Sequence, residues 1–318
     1  MVRNSPILGV ICAGFERQKS GKENAPALIG IGLLLSVPLA LGIAVAQALA
    51  EDIGSGYEFD PGQEFAELYI GVDGEETLTR GVYAGLPNPN YNRLTFLFAH
   101  REEDPLTNHF HGIGTYSYSG PFSSPTINPT NTNNRIPETY TGLPPLKLVP
   151  GEGIYQGRLI TIPSGEEYSN LRMKPVATIN KSSDIGEQTL FNSSLGRWKG
   201  SLGDAEIALQ LVAITEGLNI ANPLGVDILK NVGDTYTIGR GDDFSFLPTF
   251  WLGAGAKPGK YSATFKLLDV GTTEGGTAFQ ESGTFNLDFE KVPEPSTVLG
   301  LGLLGLMAVM RSLAQKAS

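Results

Sequence analysis

All three histidines of this 318-residue chain, His100, His109 and His111, fall within twelve residues of the stretch Leu94–Tyr118, LTFLFAHREEDPLTNHFHGIGTYSY. Three consecutive acids, Glu102, Glu103 and Asp104, lie between the first histidine and the pair. Imidazole and carboxylate are the usual ligands of zinc and related ions where no thiolate is at hand. The only cysteine, Cys12, is far from this stretch. On a strand His109 and His111 share one face, about 7 Å apart from Cα to Cα. Phe110 points the other way, in phase with Tyr116 and Tyr118, which predicts aromatics inward and histidines on the opposite face. Pairing Leu94–His100 with His109–Tyr118 as a hairpin would bring His100 beside His109 and hang the acids over the same end. Two or three imidazoles and one carboxylate make a tetrahedral set for Zn²⁺. Gly112 and Gly114 leave room beside it. The bland alternative is two surface histidines and a solvated acidic loop.

The elements that would hold this cluster read as many short strands. Candidates are Phe65–Ile70, Gly81–Ala84, Leu94–His100, His109–Tyr118, Gly153–Ile162 and Pro175–Ile179. Further on come Ala205–Thr215, Val226–Leu229, Thr235–Ile238, Tyr261–Val270 and Thr284–Glu290. Short strands punctuated by turn residues predict an all-β passenger domain, a β-sandwich or jelly roll, over residues 51–291. KYSATFKL and GTFNLDF alternate as half-buried antiparallel strands do. Ala205–Ile214 has helical propensity, but its alternation and its context favour a strand. Pro121–Pro145, with six prolines, predicts a long surface loop.

The two ends have a different character. Residues 27–46 are an apolar run behind a basic segment (Arg17, Lys19, Lys22), leading into Ala48-Leu49-Ala50. This is the pattern of a secretory leader over residues 1–50, removed by signal peptidase; a retained N-terminal anchor is the alternative. With Cys12 in the leader, the exported domain has no disulfide framework, and a metal site must use nitrogen and oxygen. The chain carries −10 overall; residues 1–50 and 291–318 each carry +2, which leaves −14 for residues 51–290. Such a surface suits cations and disfavours nucleic acid and anionic lipid.

After Lys291 the chain reads VPEPSTVLGLGLLGLMAVMRSLAQKAS. Pro293, Glu294 and Pro295, an apolar run of thirteen residues (Val298–Met310) and the basic Arg311 and Lys316 follow in turn. Thirteen helical residues span about 20 Å, short for an independent transmembrane helix. The segment 292–318 resembles the PEP-CTERM sorting signal of Gram-negative bacteria. That resemblance implies recognition by an exosortase, a transient membrane anchor at the C-terminal helix, and delivery to the outer surface or extracellular matrix.

AHREEDPLTNHFHGIGTYSYSG and FWLGAGAKPGKYSATFKLLD, together with that tail, resemble the cyanobacterial family of Zur-repressed PEP-CTERM proteins. The HxH before GTYSYSG and the later PGKYSATFKL are also similar to surface-anchored domains encoded beside zinc ABC transporters in actinobacteria. These resemblances imply a role in zinc scarcity, capturing or storing zinc at the cell surface, with His100, His109, His111 and the adjacent acids as the residues carried over. A cupin is a poorer match, because Thr115 and Tyr116 stand where its glutamate would follow the HxH.

Trp198 and Trp251 could stack sugars, but core packing suits them better; Asp242-Asp243 and the Asp269–Glu281 link lack calcium-loop spacing. No nucleophile triad, P-loop or dinucleotide fingerprint is present. The expectation is a non-enzymatic, surface-targeted zinc-binding protein, with a zinc-uptake system or exopolysaccharide as partner. The alternatives are a structural or carbohydrate-binding matrix protein and a zinc hydrolase using Glu102 or Glu103 as base.

Overall fold

The computed structural model describes residues 66–198, 200–271 and 278–293. The leader and the sorting tail from Glu294 onward, with Glu294, Pro295 and Arg311, lie outside the described residues. Pro293 is inside them and exposed, just past the last strand. Among the described residues no helix is long and apolar enough to cross a membrane.

The domain is all-β. In chain order the strands are β1 (Leu68–Val72), β2 (Leu94–His100), β3 (His109–Gly114), β4 (Ser117–Ser119), β5 (Thr126–Asn128) and β6 (Arg135–Ile136). There follow β7 (Leu146–Lys147), β8 (Val149–Pro150), β9 (Arg158–Ile160), β10 (Met173–Pro175) and the helix α1 (Ile185–Asn192). The chain closes with β11 (Glu206–Ile214), β12 (Leu218–Ala221), β13 (Asp227–Ile228), β14 (Thr235–Arg240), β15 (Thr249–Gly253), β16 (Gly259–Asp269) and β17 (Phe285–Lys291). Three sheets have the orders β10-β1-β2-β3, β14-β11-β16-β17-β6 with β7 beside β17, and β13-β12-β15-β9-β8.

The first sheet positions the histidines. Its central strand β2, LTFLFAH, is an apolar run because both faces are covered. Leu94, Phe96 and Phe98 point into the main core, while Leu97 and Ala99 point into a second cluster with Tyr69, Phe110, Leu190 and Trp198. The second and third sheets supply most of the rest of the main core, and loop residues such as Tyr168 and Phe246 complete it. Phe96 stacks on Phe285 at 3.8 Å between centroids, and Phe250 of β15 packs on Phe289 of β17 at 4.5 Å. Gly114 makes the first contact possible: a Cβ there would lie 2.8 Å from Phe285 Cδ1 and 2.9 Å from Phe96 Cβ. Truncating Phe285 to alanine would empty the junction between two sheets. Urea unfolding is expected to show a loss of about 3–5 kcal/mol, in line with other buried Phe→Ala changes.

Several expected elements differ. Gly81–Ala84 is a turn rather than a strand: Gly81 and Gly85 take φ of 79° and 92°, and Val82 at the tip is exposed. The strand expected at Pro175–Ile179 ends at Pro175, where the chain winds into a 3₁₀ turn over Val176–Ile179. Gly153–Ile162 likewise begins with a 3₁₀ turn and pairs only over β9. Strands β12 and β15 and helix α1 were not anticipated. Helix α1 does carry a local signal, since the Asp184 side chain accepts from the Glu187 N–H at 2.8 Å in the D-x-x-E form of an N-terminal cap. The hairpins β2–β3 and β16–β17 and the strand at Ala205–Ile214 are present as expected. Pro121–Pro145 is largely loop, but Arg135–Ile136 pairs with β17 and leads straight to Glu138.

Candidate metal centre

The β2–β3 register sets His100 directly opposite His109 and Phe98 opposite His111. Alternation then puts all three imidazoles on one face. Their ring centroids lie 5.2 Å (His100–His109), 5.0 Å (His100–His111) and 4.7 Å (His109–His111) apart. The face is that of the main core, because His100 follows Phe98 with ring centroids 6.2 Å apart. The histidines therefore cap one end of that core. Phe110 faces the second cluster, against Tyr69 at 5.3 Å and Trp198 at 6.1 Å. Tyr116 and Tyr118 do not share its packing, since β3 ends at Gly114 and the register shifts opposite Phe96 and Leu97. Tyr116 lies under the Arg93 guanidinium instead, 4.2 Å from the ring centroid, and Tyr118 packs on Tyr83.

The partners of the rings determine where their lone pairs point. His109 Nδ1 is 2.9 Å from the Thr107 carbonyl oxygen, which can only accept, so Nδ1 carries the hydrogen. His111 Nδ1 is 2.8 Å from Glu138 Oε1, a carboxylate acceptor, and is protonated for the same reason. In both neutral rings Nε2 is then a bare lone pair. Those two Nε2 atoms face each other at 2.9 Å. Two lone pairs at that distance repel unless a cation lies between them. Either a proton, leaving one ring positive, or a metal ion satisfies the pair.

His100 adds a third nitrogen. Its Nδ1 is buried and 3.0 Å from Glu102 Oε1 without forming a hydrogen bond. His100, Glu102 and His109 each place one donor atom within 4.8 Å of the others. His111 lies outside this trio but touches one member of it, its Nε2 standing 2.9 Å from His109 Nε2. Donors about 2.0–2.1 Å from a tetrahedral zinc stand roughly 3.3 Å apart, a spacing within the range seen here. Three nitrogens and one oxygen suit zinc chemically. The other two expected acids are not brought to the cluster. Glu103 is exposed, and Asp104 caps the 3₁₀ turn Pro105–Thr107 by accepting from the Leu106 N–H at 3.0 Å. The loop is pinned by the buried Asn108, whose Oδ1 accepts from the Glu102 N–H at 2.9 Å and whose Nδ2 donates to the Gly186 carbonyl of α1 at 3.3 Å. Gly186 permits that approach, since a Cβ there would lie 2.9 Å from Asn108 Nδ2.

Two glutamates that sequence reasoning missed complete the surroundings. Glu138 has no exposed side-chain surface. It accepts from His111, from Asn133 Nδ2, from Tyr168 OH at 3.0 Å and from Tyr140 OH at 3.3 Å. Burial works against its charge, but the hydrogen bonds from His111, Asn133 and Tyr168 outweigh it and hold the carboxyl below its ordinary range. A carboxylate behind a histidine in this way fixes the ring and raises its basicity toward a metal. Tyr140, pushed up to about 12 by burial and by Glu138, remains a donor. Glu167, half exposed, places Oε1 3.9 Å from His100 Nε2. Burial first, and then the charges of Glu138 and Glu102, push its carboxyl up against the opposing pull of His100. Neither glutamate has a local pattern that would have marked it.

A third carboxyl beside the centre ties its neighbourhood to pH. Glu67 Oε2 accepts from the Asn170 N–H at 3.0 Å, and burial raises its pKa from 4.5 to about 8 against the pull of that N–H and of Arg101. Between those values the unfolded chain loses a proton that the folded chain keeps, so stability falls as pH rises through the window and levels off above it. Urea unfolding from pH 5 to pH 8 is expected to show a decline approaching 1.4 kcal/mol per pH unit at its steepest. Glu67→Gln should flatten it.

Of the tryptophans, Trp198 is buried in the second cluster, as core packing requires. Trp251 is half-buried; the Arg158 guanidinium covers its ring at 3.8 Å and its Nε1–H donates to Asp227 Oδ1 at 2.9 Å. Comparison with known proteins finds no matching family model, no matching curated protein and no matching solved structure.

Proposed function

We propose that this protein is an exported, surface-targeted zinc-binding protein acting in zinc scarcity, with His100, His109, His111 and Glu102 as ligands. The observation that carries the reading is the facing pair of Nε2 atoms of His109 and His111, 2.9 Å apart, each held in place by a hydrogen bond behind its ring. Such a pair is bridged by a proton or by a metal ion, and the metal is the bridge proposed here. Zinc would supply a positive centre that four donors share; the protein's part is to hold the imidazoles aimed and partly dry. Glu102 serves as a ligand in this reading rather than as a general base, and the protein is not an enzyme. The fold that goes with it is a β-sandwich of jelly-roll type. The leader and the PEP-CTERM-like tail, through Pro293, Glu294, Pro295 and Arg311, would direct processing by signal peptidase and exosortase and bring the site to the cell surface.

Elemental analysis and competition titration of the purified full chain test the site. About one zinc per chain, with affinity falling as acidification protonates the imidazoles, is expected. Zinc at background level would end the proposal. The sorting half is tested separately, by truncation after Lys291, which should shift the protein from the cell surface to the medium. Unchanged surface attachment would remove that half alone.

A further inference from the structure

Resting on that zinc reading, we infer that Glu167 is the exchange ligand of the site, a carboxylate that takes the ion from solvent and passes it to the imidazoles. His100 is bracketed by two carboxylates, Glu102 Oε1 3.0 Å from Nδ1 and Glu167 Oε1 3.9 Å from Nε2. Both carboxylates are half exposed, at 42% and 47% of their side-chain surface, whereas His100 and His111 keep only 19% and 24%. The open side of the centre is therefore made of oxygen and the closed side of nitrogen. A metal leaves a site one bond at a time, and a partly dry set of imidazoles releases slowly unless a labile donor catches the ion on the way out. Carboxylates do this well, since they shift between one-oxygen and two-oxygen coordination. Glu167, like His111, lies outside the trio of donors that stand within 4.8 Å of one another, and it is the more exposed of the two. Its exposure puts it on the ion's path to solvent.

The backbone supports a dedicated position. The next residue, Tyr168, takes φ of 67°, a left-handed conformation that an aromatic side chain rarely adopts. Two contacts hold it there: its ring stacks on Phe98 at 4.4 Å between centroids, and its OH donates to Glu138 Oε2 at 3.0 Å. Such strain persists only where the surroundings over-determine it, and it clusters at functional sites. Here it anchors the backbone beside Glu167 to the same carboxylate that orients His111. The mouth of the site and its inner wall are thus positioned by one side chain.

The test measures capture and release of zinc by the full chain, using stopped-flow competition with a chromogenic chelator, for the natural protein and Glu167→Gln. Expected is a slowing of both rates by about tenfold, with Kd within threefold of the natural protein. The Co²⁺ absorption spectrum at equilibrium, which reports resident ligands, should be unchanged. Two results would overturn the assignment. Unchanged rates would make Glu167 a bystander. A tenfold weaker Kd with an altered Co²⁺ spectrum would make it a permanent ligand. A thermal melt of the apo variant checks that it is folded; because Glu167 is half exposed, Glu167→Ala serves as a second variant expected to give the same kinetic result. Failure of the natural protein to bind zinc at all is a separate outcome, seen before any variant is made, and would remove the zinc reading together with this one.

Discussion

Alanine at both His109 and His111 is expected to weaken zinc binding at least a hundredfold, about 2.7 kcal/mol or more. The Thr107 carbonyl and Glu138 aim the two Nε2 atoms at each other, 2.9 Å apart, and the two alanines remove that pair of donors. The zinc-free double variant is expected to lose stability as well, because Glu138 is left buried without its His111 donor. The natural protein should gain about 2.7 kcal/mol of unfolding free energy at a zinc concentration a hundred times its Kd, and the double variant no more than about 0.4 kcal/mol. Urea unfolding with and without zinc reads both quantities. A double variant that kept the natural zinc affinity would remove the site.

Glu138→Gln is the second large effect, and it should strike stability and affinity at once. Glu138 is fully buried and collects four donors on two oxygens, from His111, Asn133, Tyr140 and Tyr168. An amide keeps the shape but turns one acceptor into a donor, so at least one buried N–H or O–H then faces another donor. Loss of a charged, buried acceptor of this kind costs about 2–4 kcal/mol, measured by urea unfolding of the zinc-free protein. Zinc affinity should fall roughly 10–100-fold, as when other carboxylates behind metal-bound histidines are changed. The pH dependence has a definite sign. Because the Glu138 carboxyl is held below its ordinary range, its contribution is fully present above that range and is lost as pH falls through its folded value. The variant should therefore lose much of the natural protein's stability decline in acid. A variant with natural zinc affinity and natural acid sensitivity would show that Glu138 neither orients His111 nor carries its charge in the fold.

The parts of the fold that were legible in the sequence share a physical basis. Strands β2, β16 and β17 and the hairpins they form follow from a continuous apolar run in β2, from apolar alternation in β16 and β17, and from turn residues between them, and all of these signals are local. Elements with weak local signals were missed. Strand β15 begins Thr249-Phe250-Trp251 in a segment rich in Gly and Pro, and it is a strand because β9 and β12 flank it. The Gly81–Ala84 run went the other way: a β-like tripeptide lost to two glycines with positive φ.

The histidine cluster divides along the same line. That three imidazoles and an acid gather at one end of a hairpin was determined by spacing alone, because cross-strand register and two-residue alternation are properties of the chain. Which face they occupy was not, since β2 is apolar on both sides and the choice depends on which sheet or helix covers each. Asp104 and Glu103 looked equivalent to Glu102 in sequence; a single backbone N–H, that of Leu106, drew Asp104 into a turn. Glu138 and Glu167 reach the cluster from 27 residues beyond His111 and 67 beyond His100, carried by a proline-rich loop and by a strained residue next to it. Residue types and short-range geometry decide what chemistry a stretch can do. Only the tertiary structure decides which distant carboxylates set its protons and lone pairs, because those contacts join segments that no local pattern links.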